Sequence, residues 1–425
     1  MKRLKELTGA LTFTTVRGNP DIPVGNLCFD SRKIVPGDLF FAVRGTRTDG
    51  HDHIPMALEA GAAAVVCEHL PENPQEGIAW LVTDNTARAL GFMASSYFGN
   101  PSAQLKLVGV TGTNGKTTTA TLLHELFLEL GHGSGLISTI VNKVNREEVP
   151  ATHTTPDPVS LNALMAGMVE NGCAFCFMEV SSHAVDQERI AGLTFAGGIF
   201  TNLTHDHLDY HKTFDAYLKA KKGFFDGLPA DAFALVNRDD RNGLVMLQNC
   251  RAKAHTLSLH SMADFRCRLI DNSVEGLHLQ FDGREGWFRL TGEFNAYNLL
   301  TVYAAAALLG QDRDDVLRIL SGAEPVPGRF NLVRSQQGVT GIVDYAHTPD
   351  ALKNVLDTIR QIRTGHEQVI TVVGAGGNRD VAKRPVMARI AASLSDRVIL
   401  TSDNPRDEDP EEIIRAMLAG LEPGQ

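Results

Sequence analysis

Short apolar runs, closed by polar or Gly-rich turns and followed by segments with helical spacing, recur along most of this chain. Residues 38–43 read as a strand bounded by Pro36-Gly37 and Gly45. Residues 54–60 read as a helix that Gly61 stops, and residues 62–67 as another strand. The apolar runs 105–110, 175–180 and 197–200 predict buried strands, and Leu235-Val236-Asn237 a further one before a turn. Residues 120–130 and 295–309 predict helices, and 217–225 a short helix rich in lysine. Alternation over 253–291 predicts an antiparallel patch. Beyond it strands over 341–345, 369–373 and 397–401 alternate with helices over 349–362, 384–394 and 410–421. Strand–helix alternation of this kind implies an α/β fold with a mostly parallel sheet. Turn chemistry at Gly99-Asn100-Pro101-Ser102 and Pro325-Val326-Pro327-Gly328 divides the chain into three expected domains, 1–103, 104–327 and 328–425.

The polar clusters gather at predicted strand ends, where parallel sheets bind their ligands. The centre is Gly112-Thr113-Asn114-Gly115-Lys116-Thr117-Thr118, between the strand 105–110 and the helix that follows. A strand, a Gly-rich turn, Lys-Thr and a helix together wrap backbone N–H groups around phosphate. The common phosphate loop wants glycine where this chain has Val110. Three more clusters follow the runs 175–180, 197–200 and 341–345: Glu179-Val-Ser-Ser-His183, Asn202-Leu-Thr-His-Asp-His207, and Asp344-Tyr-Ala-His-Thr-Pro-Asp350. In a first-domain loop, Asp30-Ser31-Arg32-Lys33 suits a phosphate or, more simply, a solvated turn. The lysines of 217–225 likewise read most simply as a solvated face.

A formal charge of −10 argues against a general nucleic-acid or membrane surface. No apolar run is long enough to span a bilayer. Residues 1–16 do not read as a signal peptide. Six scattered cysteines do not resemble a disulfide framework, and Cys173 and Cys176 sit in an apolar run that predicts buried thiols. Reducing cytoplasm is the expected compartment.

Taken together, these motifs resemble the Mur ligase family of peptidoglycan assembly. The resemblance rests on the 112–118 loop, Thr154-Thr155-Pro156-Asp157-Pro158, Met178-Glu-Val-Ser-Ser-His183, Asn202-Leu-Thr with Asp206-His-Leu-Asp-Tyr-His211, and Asp344-Tyr-Ala-His-Thr-Pro-Asp350. It implies three domains: one for a UDP group, a central phosphate-loop ATPase, and a C-terminal Rossmann-like domain. It also implies ATP-dependent amide formation through an acyl phosphate. The expected reaction joins meso-diaminopimelate to UDP-N-acetylmuramoyl-L-alanyl-D-glutamate, with a monomer as the expected state.

The resemblance assigns roles residue by residue. Gly112, Thr113, Asn114, Gly115, Lys116, Thr117 and Thr118 would hold the ATP phosphates, with Arg329 reaching them from the last domain. Asn295 would face adenine and Asp344 the ribose. Thr117 would hold one Mg²⁺, Glu179 and His207 a second, and a carbamylated Lys221 would ligate or orient the metal. The UDP precursor would meet Leu27, Ser31, His153, Thr154, Thr155, Ser181, Gln187 and Arg189; at position 153 the family often has Asn. Asp403, Asn404, Pro405 and Arg406, with Arg379, resemble the form that uses diaminopimelate. Arg406 and Arg379 could each fork a carboxylate, and lysine lacks the distal one. The family's later Gly-Lys-Gly-His-Glu segment has no counterpart here, so the last domain reads as truncated. A lysine-adding ligase and a non-catalytic chain that binds the UDP precursor are the alternatives.

Overall fold

The computed structural model describes residues 2–9, 11–45, 48–151, 153–204, 206, 208–363 and 365–422. The chain forms two compact units, Met1–Gly109 with His132–Ala196, and Val110–Gly131 with Gly197–Gln425.

In the first unit, strands run in the order Thr15–Arg17, Ala79–Val82, Ala64–Cys67, Leu39–Phe41, Leu27–Cys28. The last four are parallel, and Thr15–Arg17 is antiparallel at the edge. Side chains alternate across the sheet. Leu39 and Phe41 pack with Leu90 and Met93 of helix Thr86–Tyr97, while Phe40 and Trp80 pack with Ile54 and Ala57 of helix Ile54–Glu59. Both faces are therefore covered, which is why these strands are unbroken apolar runs. The same unit pairs Ser134–Ile137 in parallel with Phe175–Glu179 and antiparallel with Val141–Val144. The helix Pro158–Glu170 starts at a cap: Asp157 Oδ1 accepts from the Val159 and Ser160 amides, and Pro158 sits where no N–H is needed.

In the second unit, Gly197–Phe200, Phe233–Asn237 and Lys253–Ser258 are parallel neighbours. Lys253–Ser258 is thus parallel, not part of an antiparallel patch; the antiparallel meander is Phe265–Ser273, Gly276–Phe281 and Arg284–Phe288. The apolar helix Glu293–Leu308 packs on helix Lys116–Glu129 and on Phe265–Ser273. Farther on, Ile370–Ala375 and Arg397–Ser402 pair in parallel beneath helices Pro349–Ile362, Lys383–Leu394 and Pro410–Leu418, around Leu352, Leu356, Met387, Ile413 and Met417. Residues 341–345 depart from the expected alternation. Their strand, Thr340–Val343, forms a hairpin with Asn331–Arg334. The intervening turn, closed by Ser335 and Val339, brings an antiparallel partner close before any crossover is possible.

Candidate active site

The strand Lys106–Thr111 is buried from Leu107 onward, and its apolar residues need no glycine at Val110. The chain then turns through two glycines that cannot be replaced freely. Gly112 has φ +153°, and a Cβ there would lie 1.9 Å from Thr201 Oγ1. Gly115 has φ +84°, and its Cβ would meet Asn298 Oδ1 at 2.7 Å. Gly115 is the residue before Lys116, so the helix Lys116–Glu129 begins earlier than the apolar run alone indicates. The first-turn amides of a helix, together with the positive end of its dipole, favour an anion.

The loop is braced from the next strand end. Thr113 N donates to Asn202 O at 2.8 Å, and Asn114 N to Asn202 Oδ1 at 2.9 Å. Thr201 Oγ1 donates to Asn114 O at 2.6 Å, and Thr204 N to Thr113 Oγ1 at 2.9 Å. Leu203 N is in turn held by Asp240 Oδ2 at 2.8 Å. Lys116 Nζ folds over the loop, donating to Gly112 O at 3.0 Å and Thr113 O at 2.8 Å.

Lys221 corrects the solvated-face reading. It lies on helix Phe214–Asp226, one turn beyond Tyr217, with only 1% of its surface exposed. Its neighbour Lys219 is exposed and Lys222 half-buried. Lys221 Nζ donates to Gly112 O at 2.7 Å and lies 4.8 Å from the centre of the Tyr217 ring. Burial first, then the charge of Lys116, pushes its pKa well below 10.5, against a weaker pull from Asp206. Tyr217 shares a hydrogen bond with Thr113 Oγ1 at 3.1 Å.

Other residues of this unit meet the same loop. Arg329 Nη2 donates to Thr117 Oγ1 at 3.1 Å, and its guanidinium lies 4.6 Å over the Tyr345 ring. Asn114 Nδ2 reaches Asp350 Oδ2 at 3.4 Å. Asp344 accepts from Phe330 N and Ala346 N, both at 2.7 Å, while burial pushes its pKa up. Asn295 is buried on helix Glu293–Leu308, bonded to Thr291 O and Asn298 Nδ2, each at 2.9 Å. Nothing in the sequence had singled out Asp239. Its carboxylate accepts from Ser258 Oγ at 2.7 Å, Leu259 N at 2.8 Å and Tyr297 OH at 2.9 Å, which fixes the start of that helix.

The first unit gathers a second polar cluster. Thr155 Oγ1 donates to Glu179 O at 2.8 Å and accepts from Ser181 N at 3.2 Å. Arg189 donates from Nη1 to Thr155 O at 2.9 Å, and from Nη2 to Gln187 Oε1 at 2.6 Å. The buried Glu179 carboxylate accepts from Thr139 N at 2.8 Å, and Thr139 Oγ1 donates to Thr154 Oγ1 at 3.0 Å. Five expected substrate residues and one expected metal ligand thus share one network, which His153 borders in sequence. In the five-stranded sheet, Leu27 is buried in a strand, and the buried Ser31 lies against Met56 Sδ at 3.3 Å. Arg32 forks its own neighbour Asp30 at 2.8 Å, as a closed turn would. His207 lies outside the described residues. Among those described, no three His, Cys, Asp or Glu side chains form a metal-binding group.

Near the end of the second unit, two strand-end loops interlock. Gly377 N donates to Asn404 O at 2.9 Å, Asp403 N to Ala375 O at 3.0 Å, and Arg406 Nη1 to Gly377 O at 2.5 Å. Arg406 has φ +52°, and a Cβ at Gly377 would strike Pro405 O at 1.8 Å. Arg379, on the first of these loops, comes near Arg406 and Asn404: a Cβ on Gly376 would lie 3.9 Å from Arg379 Cγ, 3.6 Å from Asn404 O and 3.1 Å from Arg406 Nη1.

Three profiles match in order: the Mur ligase family catalytic domain over residues 23–98, the Mur ligase middle domain over 110–306, and the Mur ligase glutamate ligase domain over 328–424. A UDP-N-acetylmuramoyl-L-alanyl-D-glutamate–2,6-diaminopimelate ligase of Cytophaga hutchinsonii is 56% identical over 99% of this chain and 86% of its own length. The chain belongs to the Mur ligase family. The enzyme of the same name from Bacteroides thetaiotaomicron is 55% identical over 99% of this chain and 87% of its own. A solved structure bearing that name superposes with a TM-score of 0.74 at 30% identity, covering 100% of this chain and 87% of the other. The Mur ligase middle-domain match contains both the phosphate loop and Lys221. The glutamate ligase domain match begins one residue before Arg329 and contains the interlocked loops. No helix among the described residues is long and apolar enough to cross a membrane.

Proposed function

We propose that this chain is an ATP-dependent, ADP-forming ligase that joins meso-diaminopimelate to UDP-N-acetylmuramoyl-L-alanyl-D-glutamate in peptidoglycan synthesis. The observation that carries this reading is the braced phosphate loop, in a chain 56% identical to a relative named for that reaction. A carboxylate is a poor acyl donor. Attack of its oxygen on the γ-phosphorus breaks the bond to ADP and yields an acyl phosphate. The amine of the incoming amino acid then attacks the acyl carbon, the C–N bond forms, phosphate leaves and the amine loses a proton.

In this reading the amides of Gly112–Thr118 and the Lys116 charge hold the β- and γ-phosphates, and Arg329 adds charge from beside Thr117. Asn295 and Asp344 take adenine and ribose. Leu27, Ser31, His153, Thr154, Thr155, Ser181, Gln187 and Arg189 hold the UDP precursor. The Thr117 hydroxyl would hold one Mg²⁺, and the buried Glu179 carboxylate with His207 a second; hydroxyl and carboxylate are oxygen donors of the kind Mg²⁺ prefers, and a carbamylated Lys221 would ligate or orient the metal. Bound Mg²⁺ offsets phosphate charge during transfer. Lys221 is suited to carbamylation because burial disfavours its ammonium form and so favours the nucleophilic neutral amine. Its nitrogen adds to CO₂ and sheds a proton, leaving an anion. Arg379, Asp403, Asn404, Pro405 and Arg406 select the diamino acid, whose distal carboxylate suits an arginine fork. The functional divisions are 1–103, 104–327 and 328–425. We place the enzyme in the cytoplasm as a monomer; all six cysteines are free.

Phosphate release with ATP, the UDP precursor and either meso-diaminopimelate or lysine tests the reading. Release that requires diaminopimelate is expected. Tight precursor binding with no release for either amine would overturn it.

A further inference from the structure

Arg384 is among the most deeply buried charged side chains of the chain, and no role assigned above uses it. It sits in the first turn of helix Lys383–Leu394, 2% exposed, below the interlocked loops. Its Nη2 donates to Glu408 Oε2 at 2.8 Å and to Gly376 O at 3.2 Å. Its Nε has no hydrogen-bond partner among the described residues. Glu408 is the other half of the arrangement. Its Oε1 accepts from Asn378 N, and Asn378 exchanges two hydrogen bonds with Asp407 at 3.2 and 3.3 Å. The Asn378 amide first, then Arg384, holds the Glu408 carboxyl below the usual range.

The topology of these bonds matters. Arg384 grips the first loop at Gly376 and the second at Glu408, while Glu408 grips the first loop again at Asn378. Asn378 and Arg406 both hold left-handed backbone, at φ +52° each. Non-glycine residues stay in that conformation only where their surroundings over-determine it. Burying a guanidinium with one donor left unpaired is costly, and a packed apolar side chain of the same size would serve stability as well or better. The cost is understandable if the pair fixes the geometry of what lies above it.

We propose that Arg384 and Glu408 are positioning residues for the amino-acid pocket. They hold the Arg379 and Arg406 loops at one spacing, so that a carboxylate of the incoming diamino acid meets both arginines. Neither touches the substrate. This rests on the proposed function, and its test separates the two.

Glu408→Gln and Arg384→Met are made in the full chain, and diaminopimelate binding is measured by calorimetry beside steady-state kinetics. The unaltered chain should bind and ligate the diamino acid. Each variant should raise KM and Kd for diaminopimelate by roughly ten-fold or more, for charge-assisted bonds of this kind. KM for ATP and for the UDP precursor should stay within two-fold. The double variant should be no worse than the poorer single one, because the two act as one unit. Arg384→Lys should restore little, lacking the fork. Should Arg384→Met fail to fold, the half-exposed Glu408→Gln decides alone. Unchanged diaminopimelate KM in folded variants, or an equal rise in all three KM values, would overturn the positioning role. An unaltered chain that neither binds nor ligates diaminopimelate would overturn the function and this inference together.

Discussion

Arg329 Nη2 donates to the Thr117 hydroxyl at 3.1 Å, across 212 residues of chain. That hydroxyl opens the helix at the phosphate loop, so the bond sets a fixed cation beside the amides proposed to hold phosphate. Arg329→Ala should raise KM for ATP by roughly 10- to 100-fold, the worth of one charged hydrogen bond. KM for the UDP precursor should hardly move. Arg329→Lys should recover only part, since a point charge does not replace a fork stacked on Tyr345. Initial-rate kinetics with each substrate varied in turn check this.

Gly112→Ala should be among the costliest single methyl additions in the chain. The added Cβ would fall 1.9 Å from Thr201 Oγ1 in a backbone region that side chains avoid. A loss of about 1–3 kcal/mol in chemical denaturation is expected. Thr201→Ala removes the colliding hydroxyl but also the bond to Asn114 O. The double variant should therefore be more stable than the sum of the two single losses predicts.

Lys221 should make the protein more stable as pH rises. Its folded pKa lies well below 10.5, so between that folded value and 10.5 the unfolded chain binds the proton and the native chain does not. Stability then increases with pH through the window. Lys221→Met should raise Tm by a few degrees at neutral pH in CO₂-free buffer, with the gain fading toward pH 10. The same variant should lose most ligase activity. Intact mass with and without bicarbonate checks the carbamate separately: an added 44 Da or so, absent from Lys221→Met, is expected from CO₂ addition.

Thr155 is 1% exposed and serves Glu179 O, Ser181 N and, through its own carbonyl, Arg189. Thr155→Val keeps the volume and removes the hydroxyl, leaving the half-buried Ser181 amide without its acceptor. The expected loss is about 1–3 kcal/mol. KM for the UDP precursor should rise while KM for ATP stays near its original value, which calorimetry and kinetics together resolve.

Much of this was legible because buried strands flanked by turn residues announce themselves. The strands Lys106–Thr111, Phe175–Glu179 and Gly197–Phe200 lie within a residue or so of where the apolar runs placed them. Their polar ends formed the two networks around Asn202 and Thr155. What composition could not reveal was which charges are buried. Lys219, Lys221 and Lys222 look alike in sequence, and only the helix phase set by buried Tyr217 turns Lys221 inward. Arg384 and Glu408 belong to no motif that sets them apart in sequence, and Asp239 reads as a turn residue. Each owes its role to partners distant in sequence, at Gly376, Asn378 and Tyr297. Strand pairing was the other gap: residues 341–345 have the composition of a strand in either hairpin or crossover, and the turn before them decided the matter.

The chain passes between its two compact units at Gly109/Val110, Gly131/His132 and Ala196/Gly197. Neither unit is therefore a continuous piece of sequence. During synthesis, which adds residues at roughly 5–20 per second, the first unit cannot close until Ala196 has left the ribosome. By then the helix that starts at Lys116 already exists as chain without the helices Glu293–Leu308 and Arg313–Ser321 that it packs on. A nascent chain halted between residues 110 and 196 would hold exposed apolar surface from both units, and is the stage at which a chaperone has most to cover.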